Sequence, residues 1–141
     1  MTPQQIELVR SSFSLVVPMA DNTARMFYSR LFELDSTLRP LFKNDIAAQG
    51  DKLVSMIGVA VGLLDQPERL IPAVQDLGRR HVHYGVEDSH YETVGVALMW
   101  TLKNGLGAAF TAEAAAAWSE VYKVLSETMR AAAKQVPRAA V

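Results

Sequence analysis

No cysteine occurs among the 141 residues. Disulfides, thiolate nucleophiles, cysteine-ligated zinc and iron–sulfur clusters are therefore excluded. No basic block occurs either: 14 Lys and Arg stand against 15 Asp and Glu, for a formal net charge of −1. The chain lacks the positive footprint that nucleic acid or an anionic membrane requires, and neither is expected as a partner. The longest apolar run, Ile57–Leu64, is far short of the roughly 20 residues that cross a bilayer. The N-terminus has no basic region followed by an apolar segment, and Pro18 interrupts Leu15–Ala20, so no signal peptide is read. The expectation is a soluble, cytoplasmic protein. Sustained two-residue alternation is also missing, which leaves no basis for β-strands.

What is present is helical periodicity in a chain whose residues are 50% hydrophobic, enough for a packed core rather than disorder. Thr2-Pro3-Gln4-Gln5 has the form of a helix start, with a capping hydroxyl, proline at the first helical position and Gln5 placed for a capping box. Ile6, Val9, Phe13, Val16 and Val17 follow on one face, and Pro18 stops or bends the helix. A second helix is predicted from about Asn22 to Leu34, with Ala24, Phe27, Tyr28, Leu31 and Phe32 facing inward. Asp35-Ser36 can cap a short turn leading through Leu38-Arg39-Pro40 to Leu41-Phe42, and Lys43–Ala48 reads as a loop. A third helix, about Ala47–Leu64, carries Gln49, Leu53, Met56, Ala60 and Leu64 on one face and is broken by Asp65-Gln66-Pro67. A fourth ends near Gly85, in two pieces if the internal Pro72 divides it. A fifth covers about Ser89–Leu106 with Tyr91, Val94, Leu98 and Leu102 inward. A sixth runs from Thr111 to about Ala133 with Trp118, Val121, Tyr122, Leu125 and Met129 inward. Residues 1–141 read as one all-α domain of six or seven helices, the tail 134–141 frayed.

All three histidines fall between residues 81 and 90. His81 follows Val74 by seven residues and Leu77 by four, so it shares their apolar face and has the Leu77 carbonyl one turn behind it. That is the arrangement of a metal or haem ligand whose second ring nitrogen is anchored, and, more often, of a satisfied core histidine. His83 points some 200° away and cannot share a metal with His81 from the same helix, while His90 sits at a helix start in a capping or solvated position. His-x-x-x-His does not occur, and the single Glu-x-x-His, Glu87–His90, stands alone at a helix start, so the paired helical patterns of zinc and di-iron sites are missing. Tyr28 and Gln49 are the polar members of otherwise apolar faces. Each reads as a boundary residue, or the two together as hydrogen-bond donors in one small pocket. No nucleophile–base order, phosphate loop or carboxylate pair stands out.

The chain resembles the bacterial single-domain globins and the globin domains of flavohaemoglobins. The resemblance runs from about Gln4 to Met129. It rests on Phe27-Tyr28-Ser29-Arg30-Leu31-Phe32, Leu38-Arg39-Pro40-Leu41-Phe42, Leu70-Ile71-Pro72-Ala73-Val74, His81, Tyr84-Gly85-Val86, His90-Tyr91 with Val94-Gly95, and Ala117-Trp118 with Tyr122. Gly78-Arg79-Arg80-His81 and the short stretch between Phe42 and Gln49 are most similar to single-domain globins of extremophilic bacteria. The resemblance implies a three-over-three globin fold around one haem b. On that pattern His81 is the iron ligand, Phe42 packs on the porphyrin, and Tyr28, Gln49 and Leu53 form the distal trio. Leu77, Val86, Tyr91 and Val94 line the haem, and Lys52 and Arg80 lie where propionate partners are found. The spacing agrees: Gln49 and Leu53 are one turn apart, and His81 lies 32 positions after Gln49, enough for a helix, a corner and a return.

Two departures shape the expected function. Flavohaemoglobins hold the proximal histidine with a tyrosine and a glutamate. Tyr91 matches the tyrosine, but Ala133 stands at the glutamate position. A weaker push on the iron favours reversible oxygen binding over peroxidase-like chemistry. No flavin or nicotinamide domain follows, so any redox cycle needs an external reductase. The expectation is a haem globin binding O2, and also CO and NO, at a five-coordinate iron with tight binding and slow release. The alternative is a nitric oxide dioxygenase, or another NO or sulfide detoxification, served by a partner reductase.

Overall fold

The computed structural model describes residues 1–42 and 45–136. Six α-helices carry the fold: α1 Pro3–Val16, α2 Ala20–Leu34, α3 Ile46–Gly62, α4 Pro67–His83, α5 His90–Leu106 and α6 Ala112–Ala133. Short 3₁₀ turns join α1 to α2 (Val17–Met19), follow α2 (Ser36–Leu41) and precede α6 (Gly107–Ala109). No strand occurs among the described residues, and no described helix is long and apolar enough to cross a membrane. The expected loop over Lys43–Ala48 needs correction from Ile46 onward, which is already helical; Lys43 and Asn44 lie outside the described residues, as do Pro137–Val141 of the expected frayed tail.

Local chemistry explains most boundaries. The Gln5 amide N–H donates to Thr2 Oγ1 at 3.1 Å, and the Thr2 N–H donates to Gln5 Oε1 at 3.0 Å, completing a capping box. Asp35 accepts the Thr37 N–H at 3.0 Å, and Thr111 Oγ1 accepts the Ala114 N–H at 3.1 Å. Pro72 does not divide α4. It stands early in the helix, where its missing N–H forfeits a single bond and the turns beyond it continue unbroken. Ser89 makes no side-chain cap for α5. His90 Nδ1 accepts the Glu87 N–H at 3.0 Å, from the turn that leads into the helix.

The helices form two layers, α1, α3 and α4 over α2, α5 and α6, the three-over-three arrangement. Across the layers α1 packs on α6, α2 on α3 and α4 on α6, and within them α1 packs on α3, α2 on α5 and α5 on α6. One core joins Val9, Val16, Val61, Leu102, Ala117, Trp118 and Val121, with Trp118 Nε1 donating to the buried Ser12 hydroxyl at 2.8 Å. Glycine allows two of the crossings. A Cβ on Gly50 would come within 2.7 Å of Ala24 Cβ, and one on Gly78 within 2.7 Å of Met129 Cα. The helices touch there almost backbone to backbone.

Two inward assignments fail. Val17 is 53% and Met56 39% exposed. The 3₁₀ turn at Val17 advances the phase of the chain, which turns that side chain outward. On α3 the crossing at Gly50 sets the rotation, so Gly50, Ala60 and Val61 are buried and Met56 lies off the stripe.

Candidate cofactor cleft

α3 and α4 are consecutive, yet α3 leans on α1 and α2 while α4 leans on α6. They meet at their corner, where Ala60 packs with Leu70 and Val74. Gln49 and Leu53 stand in the far half of α3 and Leu77 and His81 in the far half of α4, and the space between these segments is the candidate cleft. A cleft between elements fastened to different neighbours suits a flat group inserted between them.

The α3 wall is built on aromatic packing. Tyr28 is 3% exposed on α2, edge-on to Phe27 at 5.0 Å between centroids and to Phe42 at 5.2 Å, and stacked with Phe32 at 6.1 Å. The same cluster includes Leu53 and Val94. The Tyr28 hydroxyl reaches α3, donating to the Gln49 carbonyl oxygen at a long 3.4 Å. Burial pushes the phenol up to about 12, so it stays an O–H donor throughout the physiological range. Gln49 is half-buried in the first turn of α3. The structure thus brings Tyr28, Gln49, Leu53, Phe42 and Val94 together.

On the α4 wall His81 is half-buried, and its Nδ1 lies 2.8 Å from the Leu77 carbonyl oxygen. A carbonyl can only accept, so Nδ1 carries the proton and Nε2 keeps a lone pair for a metal. Burial lowers the imidazole pKa, the Leu77 bond opposes that shift, and the Arg80 charge adds to it, which keeps the ring neutral at pH 7. The turn after His81 folds back on it: the Tyr84 and Val86 N–H groups both donate to the His81 carbonyl at 3.1 Å, and Gly85 N–H to that of Val82 at 3.1 Å. With Gly85 at φ +89°, this is a Schellman ending that places Val86, half-buried, just beyond His81. Tyr84 is 54% exposed, with its ring centroid 5.4 Å from that of His81.

Tyr91 opens α5, buried, and its hydroxyl has no hydrogen-bond partner among the described residues. Burial and the Asp88 charge raise its pKa, against Arg130. Ala133 is buried and offers no polar atom. Lys52 and Arg80 are exposed, and Arg80 Nε pairs with Asp76 Oδ2 at 3.1 Å. Sequence reasoning missed the ties that fasten α5 and the turn before it to α6. Tyr122 hydroxyl donates to the Tyr91 carbonyl, and Arg130 forks Asp88 with Nε to Oδ1 at 2.8 Å and Nη2 to Oδ2 at 2.6 Å. Tyr122 and Tyr91 each carry a helical signal. The Arg130–Asp88 pair spans 42 positions and carries none.

Among curated proteins, the flavohemoprotein of Xylella fastidiosa is 27% identical over 132 residues, covering 92% of this chain and 33% of that one. That of Bacillus subtilis is 27% identical over 125 residues, covering 86% and 31%. The chain thus spans about a third of the length of these relatives. Among solved structures, an engineered carbene transferase built on a proposed nitric oxide dioxygenase of Rhodothermus marinus superposes with a TM-score of 0.85 at 27% identity, covering 96% of this chain and 94% of that one. Haem is the group such relatives imply for the cleft. The residues fit it: a neutral imidazole with a free Nε2, apolar walls, and a buried Tyr91 hydroxyl still lacking a partner. The globin family matches residues 25–129, and the chain belongs to that family.

Proposed function

We propose that residues 1–141 form one globin domain that holds haem b through His81 and binds diatomic gases, O2 foremost with CO and NO, on the side of Tyr28 and Gln49. The single observation that carries the reading is the His81 Nδ1 to Leu77 carbonyl contact of 2.8 Å in a half-buried imidazole. It fixes the tautomer that leaves Nε2 available to hold a haem iron. Haem iron supplies reversible coordination of a diatomic gas. The protein does the rest. Leu77 orients the imidazole; Phe42, Leu53, Leu77, Val86, Tyr91 and Val94 exclude water from the porphyrin faces; Lys52 and Arg80 stand for its carboxylates at the rim. The Tyr28 O–H and the Gln49 amide donate to the partial negative charge that a bound gas acquires, which slows its release.

Reversible binding is favoured over peroxide chemistry by the His81 surroundings. The imidazole has a neutral carbonyl for a partner, the Tyr91 hydroxyl has no partner among the described residues, and Ala133 contributes no carboxylate. The test is the absorption spectrum of the purified protein before and after dithionite and CO. A Soret band that sharpens and shifts with CO is expected. Its absence, with no haem uptake on reconstitution, would overturn the assignment.

A second reading, nitric oxide dioxygenase or a related NO or sulfide detoxification with an external reductase, draws on the flavohemoprotein relatives and the Rhodothermus neighbour. Sustained NO consumption over many turnovers with an added flavin reductase would favour it. A single stoichiometric reaction would leave the protein as a gas binder.

A further inference from the structure

One turn of α6 touches the His81 segment on both sides. Ahead of the histidine, Gly78 lies against the Met129 backbone, where a Cβ would come within 2.7 Å of Met129 Cα and 2.9 Å of its carbonyl carbon. Behind it, the next residue of α6, Arg130, grips Asp88 with two bonds of 2.8 and 2.6 Å. Between these points lie the Schellman bonds that converge on the His81 carbonyl. The segment from Gly78 to Asp88, which carries the last turn of α4, is therefore held at one end by a backbone contact and at the other by a side-chain fork. From the surface alone the fork is hard to explain. Asp88 is 55% and Arg130 39% exposed, and ion pairs that open to solvent add little to global stability. A planar bidentate fork fixes direction better than a point charge does, and the carboxylate it holds sits two residues beyond Val86, at the free end of the turn that folds onto His81.

We propose that Arg130 is a positioning residue, which by clamping Asp88 holds the turn after His81 closed and so fixes the orientation of the imidazole from outside the cofactor cleft. The inference rests on His81 being the iron ligand. Without the fork, the turn Tyr84–Ser89 keeps its backbone bonds but loses its outer tether. The last turn of α4 then frays more often, and the imidazole samples more tilts.

The holoprotein tests this with Arg130→Gln, Arg130→Lys and Asp88→Asn. Arg10→Gln, which breaks the remote Arg10–Asp65 pair of 3.0 Å, serves as a control for general loss of an ion pair. In the ferrous protein the iron–histidine stretching band is expected to shift and broaden in Arg130→Gln and Asp88→Asn. Arg130→Lys should fall in between, since it keeps the charge and loses the fork. The C–O stretch of the CO complex, which reads the Tyr28 side, should not move. Amide exchange at Gly85 and Val86 should rise about two- to fivefold in the same variants, in keeping with an exposed pair. An unchanged iron–histidine band in Arg130→Gln, or an equal change in Arg10→Gln, would overturn the proposal. The exchange readout needs no haem. A missing Soret band in the parent protein would refute the ligand assignment while leaving the tether itself measurable.

Discussion

Replacing Tyr28 by phenylalanine should separate ligand binding from folding. The ring is 3% exposed and packs on three other aromatic rings, and phenylalanine keeps all of that contact. The lost hydroxyl makes one hydrogen bond, at 3.4 Å, to a carbonyl inside the first helical turn of α3, so removing it costs the fold less than about 1 kcal/mol. Toward a bound gas the same O–H is a hydrogen-bond donor whose removal costs roughly 0.5–1.5 kcal/mol. With RT of about 0.59 kcal/mol, that corresponds to a release rate about 2- to 13-fold faster. The assay is stopped-flow displacement of O2 by excess CO, alongside urea unfolding of both proteins. An unchanged O2 release rate would refute Tyr28 as a donor. A large loss of stability with an unchanged release rate would make the hydroxyl a structural group instead.

His81→Ala should abolish the CO-sensitive Soret band of the reconstituted protein, and added free imidazole should restore it; retention of a normal spectrum without imidazole would exclude His81 as the ligand. Gly78→Ala sets a methyl group against Met129 backbone atoms that cannot rotate away, so α4 and α6 must part. A loss of about 1–3 kcal/mol in urea unfolding is expected, and a neutral result would show that the helices separate freely. The Tyr28 phenol has a folded pKa of about 12 against an ordinary 10.0. A raised folded value means that its contribution is intact below pH 10 and is lost as pH rises through about 12. Thermal stability should therefore fall above pH 10, and less steeply in Tyr28→Phe; identical slopes would contradict the burial argument.

How far the sequence could be read follows from the range of the interactions involved. Capping boxes and apolar stripes act over three to seven residues, so the Thr2 start, the Thr111 start and the inward face of α6 were all readable. His81 and its Leu77 partner are four residues apart and were readable for the same reason. Pro72 misled because its effect depends on its distance from the helix start rather than on its presence. Val17 and Met56 misled because a 3₁₀ turn and a glycine crossing shift helical phase, and periodicity assumes an unbroken phase. The Arg130–Asp88 fork and the Gly78–Met129 contact join residues more than 40 positions apart. Nothing local marks them.

The two walls of the cleft are fastened in opposite ways, and that difference bears on function. The His81 segment is tied to α6 by a backbone contact at Gly78 and an arginine fork at Asp88, while its imidazole has only a neutral carbonyl to lean on. The Tyr28 wall is held by apolar packing, and its donors are barely engaged, one through a 3.4 Å bond. On the proposed reading, a histidine so held but electronically unassisted would do little to activate a gas bound at the iron. Donors with no strong internal partner can turn toward a ligand at small cost to the fold. Substitutions on the Tyr28 wall should therefore change gas release more than stability, and substitutions at the α4–α6 contacts should change stability and the iron–histidine band more than release.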